Sequence, residues 1–369
     1  MVDTKEFYNY LKEKHFNLFC GVPDSLLKDL CAYITDNSEK KDNIITANEG
    51  NAVGIVAGNY LATGEFGVVY MQNSGLGNIV NPLLSLTDDE VYKIPFLLII
   101  GWRGEPGVHD EPQHIKQGKL TLPLLDTMGI KYMVLDENYI NQIDYCYDYM
   151  KKEGKPIALV VRKNTFTSYK KGKNVNNYTI TREEALETII DNITNNDFIV
   201  STTGKTSREI FELREKKNMD HGHDFLTVGS MGHTSSIALG MSLNTNKKVY
   251  CIDGDGSFIM HMGSSAIAAN NAKDNFKYIL INNGAHESVG GQPTVAFNIE
   301  IEKILNAVGY EEVYKASTKE KIKECLEKMN NKLSCLVIYT KEGSREDLGR
   351  PTKTPIENKE AIMEELRRD

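Results

Sequence analysis

The sequence predicts an α/β protein with two parallel-sheet domains, on three observations. Short β-branched or aliphatic runs alternate with longer helix-patterned stretches along the chain, as expected of parallel sheets covered on both faces. At 369 residues the chain is long enough for two such domains of ordinary size, each with its own core. A polar, basic stretch then divides it into halves of similar size and similar strand–helix rhythm.

Taken in order, "NIITA", "FGVVYMQ", "PFLLIIGW" and "IALVVRK" are the strands predicted in the first half. "TSYKKGKNVNNYTITREEA" (Thr167 to Ala185) is poor in large aliphatics and is predicted to be a linker, ending in a helix start at Thr181 with Glu183 and Glu184 in the first turn. "FIVST", "VYCID", "KYILIN" and "CLVIYT" are the strands of the second half. The charged tail "KEGSREDLGRPTKTPIENKEAIMEELRRD" predicts a loop followed by a surface helix. The expected boundaries are a first domain at 1–168, a linker at 169–182, a second domain at 183–345 and a tail at 346–369. A linker that short leaves no room for an intervening third domain.

Composition narrows the function classes. The chain is 40% hydrophobic and 25% charged, an ordinary globular balance. A net charge of −8 lacks the basic surplus that neutralises phosphate backbones, so no nucleic-acid partner is expected. The N-terminus is charged, and the longest apolar run, "IPFLLIIGW", is far short of a bilayer span, so no membrane partner is expected either. Six cysteines lie scattered without CxxC spacing, mostly in apolar contexts, and are expected to be reduced core residues of a cytoplasmic protein.

The chemistry concentrates in "VYCIDGDGSFIMHMG". A strand ends at Gly254-Asp255-Gly256-Ser257 and a helix of small residues follows. That places free backbone N–H groups and a carboxylate at the carboxyl end of a parallel sheet, where such folds bind ligands. The next strand ends in Asn282-Asn283-Gly284, bringing a second oxygen donor beside Asp255. Asp255, Asn283 and a main-chain carbonyl just beyond make a hard, all-oxygen half-cage, which a diphosphate and a water complete into the octahedron Mg2+ demands. Turn and cap roles are the ordinary alternative, because Gly-Asp pairs are common turn chemistry. The pairing of two motifs, each ending a buried strand, weighs against that alternative.

This pattern resembles the motif of the thiamine-diphosphate-dependent 2-keto acid decarboxylases, a GDG followed some dozens of residues later by NN. The resemblance implies a pyrimidine-binding domain followed by a diphosphate-binding domain, with thiamine diphosphate and Mg2+ as cofactors. Asp255, the Asn283 side chain and the Ala285 carbonyl would hold the metal, with Gly254, Gly256 and Ser257 seating the diphosphate. In "ITANEGNAVGIVAGNYLATG", Glu49 opens a helix after a strand. A carboxylate there is ordinary helix-start chemistry in any protein. In the family the matching glutamate bonds to the cofactor pyrimidine and favours the tautomer that takes the C2 proton. Asn78, in "MQNSGLGNIVNP", matches the Gly-rich turn of the first domain, for which an ordinary Gly-Asn turn is the alternative. Met231, in "GSMGHTSSIALG", matches the bulky residue that wedges the cofactor rings apart, for which a core methionine is the alternative.

Within the family, "CGVPDSLLKDL", "GWRGEPGVHDEPQHIKQG", "TGKTSRE" and "INNGAHESVGGQPT" resemble the branch acting on 3-phosphonopyruvate, with the sulfopyruvate branch nearest. The implied reaction gives phosphonoacetaldehyde and CO2 in phosphonate biosynthesis of the 2-aminoethylphosphonate type. The implied assembly is a dimer or higher, with each site between the Glu49-bearing half of one chain and the Asp255-bearing half of another. Candidates for binding this anionic 2-keto acid are Arg103, His114, Lys116, Arg208, His233 and His286, and either arginine suits a forked contact to phosphonate oxygens. Glu287 is expected either as an acid–base group or as the group orienting His286. "TGKTS" is not a P-loop, because Ile199 stands where the first glycine is required. No G-x-G-x-x-G follows an early strand in either half, which excludes a dinucleotide-binding dehydrogenase. Glu49 argues against a cofactor-binding regulator without catalysis.

Overall fold

Continuous aliphatic runs bury both of their faces only in the interior of a parallel sheet, and the chain contains two such sheets. The computed structural model describes residues 1–172, 176–329 and 331–368; the portion of the expected linker at 173–175 lies outside the described residues. The chain divides into two compact units, Met1–Lys173 with Val289–Gln292 and Asn174–Ser288 with Pro293–Asp369.

In the first unit the strands are β1 (Phe19–Gly21), β2 (Asn43–Ile45), β3 (Val68–Gln72), β4 (Leu97–Gly101), β5 (Lys131–Val134) and β6 (Ile157–Val161). They pair in parallel in the order β2-β1-β3-β4-β6-β5. The second unit carries β7 (Phe198–Ser201), β8 (Asp224–Leu226), β9 (Val249–Gly254), β10 (Phe276–Asn282), β11 (Glu312–Ala316) and β12 (Ser334–Tyr339). Their order is β11-β12-β10-β9-β7-β8, again parallel. Read from its other edge, the second sheet repeats the strand order of the first. Each sheet has an apolar cluster on either face, Phe19, Leu97 and Ile99 opposite Val69, Leu98 and Ile100 in the first, and Ile252 and Ile279 opposite Cys251 and Leu280 in the second.

The strands not legible in the sequence are the short β1 and the sheet-margin strands β5, β8 and β11. β5 and β11 mix charged and apolar residues and are only partly buried, and β1 and β8 have three residues each. Neither kind produces an uninterrupted apolar run.

Local signals set the helix ends. Thr181 N-caps the Arg182–Asn192 helix in a capping box with Glu184. Asn48 accepts the Asn51 N–H at the start of the Glu49–Thr63 helix, and Gly64 ends it in the left-handed region. The C-terminal helix, Pro355–Arg367, starts with a second capping box, Thr354 with Glu357. Two of its side chains, Asn358 and Ile362, are buried, and Asn358 accepts the Leu226 N–H at 3.0 Å and donates to the Asp224 carbonyl at 2.7 Å. The helix thereby satisfies the open margin of β8, which would otherwise be an unpaired edge. All six cysteines are free and buried. Among the described residues no helix is long and apolar enough to cross a membrane.

Candidate active site

In a doubly wound sheet the strand order reverses where consecutive crossovers leave in opposite directions, and a crevice opens at the carboxyl ends of those strands. In the second unit this point lies between β7 and β9. Gly254 ends β9, and Asp255 opens the Asp255–Met260 helix immediately beyond. Asp255 is 3% exposed. Burial pushes its carboxyl up to about 7, against the opposing hydrogen bond that Thr294 Oγ1 donates to Oδ2. Beside β9, β10 carries the chain to Asn283, whose Oδ1 accepts the Ala285 N–H at 3.1 Å and whose Nδ2 donates to Glu287 Oε2 at 2.8 Å.

The helix after β9 packs closely on the loop around Met231. Ser257 Oγ accepts the Gly232 N–H at 3.0 Å. A Cβ on Gly256 would lie 2.9 Å from the His286 ring and 3.2 Å from Met231 Cε, so only glycine admits both neighbours. His286 is buried and its imidazole is pushed down to about 4 by that burial, which leaves it neutral at physiological pH. His233 faces His261 with ring centroids 4.6 Å apart. Arg208 donates from Nε to the Gly349 carbonyl at 2.5 Å and from Nη2 to the Leu348 carbonyl. Glu287 is ion-paired with both Arg182 and Lys205.

These residues fit a hard divalent cation beside a diphosphate. The donors at the ends of β9 and β10 are a carboxylate, an amide oxygen and a main-chain carbonyl, all oxygen. A cation beside Asp255 would favour its ionised form against the burial that raises its carboxyl. Among the described residues no group of three or more His, Cys, Asp or Glu side chains is placed to hold a metal, so a cation at this point relies on the mixed set.

In the first unit the candidate residues follow the carboxyl ends of β1, β2, β3 and β4. Glu49 is 4% exposed, and Asn78 Nδ2 donates to its Oε2 at 2.6 Å. Burial raises the Glu49 carboxyl above the usual range, with the Asn78 bond opposing. A Cβ on Gly75 would fall 2.3 Å from Glu49 Oε1, so the glycine of "NSGLGN" admits the carboxylate over its turn. Asn78 thus orients Glu49.

Arg103 follows β4. Its Nε donates to Asp110 Oδ2 at 2.8 Å, its Nη2 to Asp110 Oδ1, and its Nη1 to Ser25 Oγ at 2.7 Å. Burial opposes ionisation of Asp110, but the Arg103 fork and the Glu111 and Gly104 N–H groups hold its carboxyl well below the usual range. Asn73 braces the same loop, donating to the Arg103 carbonyl at 2.7 Å and to Thr121 Oγ1 at 2.8 Å. His114 is buried, has no partner at Nδ1, and is pushed down to about 4 by burial and by Arg103. Lys116 is exposed.

Sequence reasoning missed Asp24 and Thr294. Asp24 is fully buried just after β1 and is pushed up to about 6 by burial, against the opposing charge of Arg103. Its signal is the carboxylate of "GVPDS", obscured because the preceding strand is only three residues long. Thr294 lies in the quoted "GGQPT", but nothing in that string shows that it reaches Asp255.

Residues 4–127 match the thiamine pyrophosphate enzyme N-terminal TPP binding domain, and residues 202–339 match the C-terminal TPP binding domain of the same enzymes. Phosphonopyruvate decarboxylase of Streptomyces viridochromogenes is 31% identical over 360 residues, covering 91% of this chain and 88% of that protein. Phosphonopyruvate decarboxylase of Streptomyces hygroscopicus is 30% identical over 358 residues, covering 91% and 87%. Sulfopyruvate decarboxylase of Methanosarcina acetivorans is 27% identical over 362 residues, covering 90% of each chain. The buried glutamate after β2 and the oxygen donors ending β9 and β10 thus lie in a chain that belongs to the thiamine pyrophosphate enzyme family, a carboxy-lyase related to phosphonopyruvate and sulfopyruvate decarboxylases.

Proposed function

We propose that the chain decarboxylates 3-phosphonopyruvate to phosphonoacetaldehyde and CO2, using thiamine diphosphate and Mg2+, in phosphonate biosynthesis in the cytoplasm. The observation that carries the substrate is the similarity to two phosphonopyruvate decarboxylases at 31% and 30% identity over about nine-tenths of the chain. Sulfopyruvate is the second reading, favoured by the 27% identity to a sulfopyruvate decarboxylase over an equal span.

Bound thiamine diphosphate supplies a nucleophilic carbon and a sink for the electron pair that CO2 leaves behind. Asp255, Asn283 and the Ala285 carbonyl would hold Mg2+, the segment Gly254, Gly256 and Ser257 would seat the diphosphate, and Met231 beside Gly256 would prop the cofactor rings. Glu49 would be the carboxyl that holds or moves a proton against a bound pyrimidine ring. Its burial supports that role, because it raises the proton affinity of the carboxyl, and the Asn78 bond holds the carboxylate in place.

For the substrate, either arginine is a candidate: Arg103 is forked onto Asp110 with its remaining nitrogen on Ser25, and Arg208 donates to two main-chain carbonyls. His114 and His286, neutral at physiological pH, serve as hydrogen-bonding groups rather than as cations, and His233 completes the set. Each complete site combines the Glu49-bearing half of one chain with the Asp255-bearing half of another, which makes the active unit a dimer or larger.

The test is CO2 release from phosphonopyruvate, sulfopyruvate and pyruvate at equal concentration, with and without added cofactors after chelation. Phosphonopyruvate is expected to react fastest, with discrimination against pyruvate on the order of 10^4-fold, because pyruvate leaves the phosphonate-binding groups unpaired. Faster release from sulfopyruvate would move the chain to the other branch. Full turnover by stripped protein without additions would overturn the cofactor reading.

A further inference from the structure

Asn283 is not free to choose which end of its amide faces a cation. Its Nδ2 donates to Glu287 Oε2 at 2.8 Å while its Oδ1 accepts the Ala285 N–H at 3.1 Å. A carboxylate accepts and never donates. An inverted amide would therefore set oxygen against oxygen at Glu287 and donor against donor at Ala285. Glu287 is itself held from two sides, by Arg182 Nη1 on Oε2 at 2.8 Å and by Lys205 Nζ on Oε1 at 3.1 Å. Arg182 is fixed in turn by a two-pronged pair with Glu209, 2.7 Å on each prong. Arg182, Glu209 and Glu287 are almost without exposed side-chain surface, and with Lys205 the four charges cancel. Buried ion clusters add little net stability over a well-packed apolar core. What this one delivers is a carboxylate fixed in place beside a candidate metal ligand.

The geometry points to Glu287 as a positioning residue for Mg2+: Arg182, braced by Glu209, and Lys205 hold its carboxylate, and the carboxylate turns the Asn283 amide oxygen to the cation. This rests on the Asp255–Asn283–Ala285 metal site proposed above, and it replaces the acid–base role considered for Glu287 from the sequence. Partners that orient metal ligands typically carry about 10–100-fold in metal affinity.

The test titrates MgCl2 calorimetrically into the full chain saturated with thiamine diphosphate. Glu287→Gln presents an amide that accepts or donates, so it no longer dictates the Asn283 orientation. Mg2+ binding is expected to weaken about 10–100-fold, with kcat returning close to wild type at saturating Mg2+. An acid–base loss would persist at any metal concentration and would overturn the assignment. Asn283→Asp alone sets two carboxylates together and should abolish Mg2+ binding, while Asn283→Asp combined with Glu287→Gln restores a donor–acceptor pair and should recover much of it. Lys205→Met, at the more exposed end of the cluster, should give a smaller loss and serves if Glu287→Gln does not fold. Unchanged Mg2+ affinity in the folded Glu287 or Lys205 variant, or no recovery in a folded double variant, overturns the positioning role. Failure of the wild-type protein to bind Mg2+ overturns the metal site itself, and the two failures are thereby told apart.

Discussion

Asp24 is held with a folded-state pKa of about 6 in a site without exposed surface, against about 4 for an aspartate in an unfolded chain. The folded state binds this proton more tightly, so the associated stability is present below about pH 4 and is lost as pH rises through about 6. Asp24→Asn removes the penalty of ionising a buried carboxyl. The variant is expected to gain about 1 kcal/mol more stability at pH 7.5 than at pH 5, measured by urea unfolding at the two values. Equal gains would mean that Asp24 titrates as an exposed carboxylate. At the same scale, Glu49 and Asp255 were legible because each stands at a strand end in a recognisable string. Asp24 and Thr294 were not, because their environments are made by residues far away in the chain, Arg103 for one and Asp255 for the other.

Among the elements, the fully buried strands β4, β6, β10 and β12 announced themselves by their apolar stretches. The capped start of the Arg182–Asn192 helix was equally plain from Thr181 and its acidic first turn. The charged C-terminal segment suggested a surface helix, and its composition does describe most of the Pro355–Arg367 helix. What composition could not show is that Asn358 turns inward and closes both hydrogen bonds at the margin of β8. Asn358→Ala leaves the Leu226 N–H and the Asp224 carbonyl buried and unpaired, and is expected to cost about 2 kcal/mol of stability. Chemical denaturation checks this, and a change within experimental error would mean that water replaces the amide.

For the whole molecule, the Glu49 string lies in the first unit and the Asp255 and Asn283 strings in the second, two units of one strand order. Under the proposed assembly, Glu49→Gln and Asp255→Ala chains are each inactive alone. When they are coexpressed, each hybrid dimer retains one site built from two unaltered halves, so about a quarter of wild-type specific activity is expected for random pairing. Absence of recovery in verified hybrids would place each complete site within one chain.

The sequence by itself determined the α/β class, the division into two halves and the strand-end strings that carry Glu49, Asp255 and Asn283, because strand periodicity, helix caps and the GDG and NN strings act over short chain distances. Tertiary structure alone decided the partners of the long polar side chains. Glu287 meets Arg182 across 105 positions, Arg208 reaches carbonyls 140 and 141 positions away, and Arg103 finds Ser25 across 78. Local patterns specify which face of an element turns inward, but not which charged groups meet there. That choice follows from strand order and register, set when the two sheets fold and their buried polar groups must each find a partner.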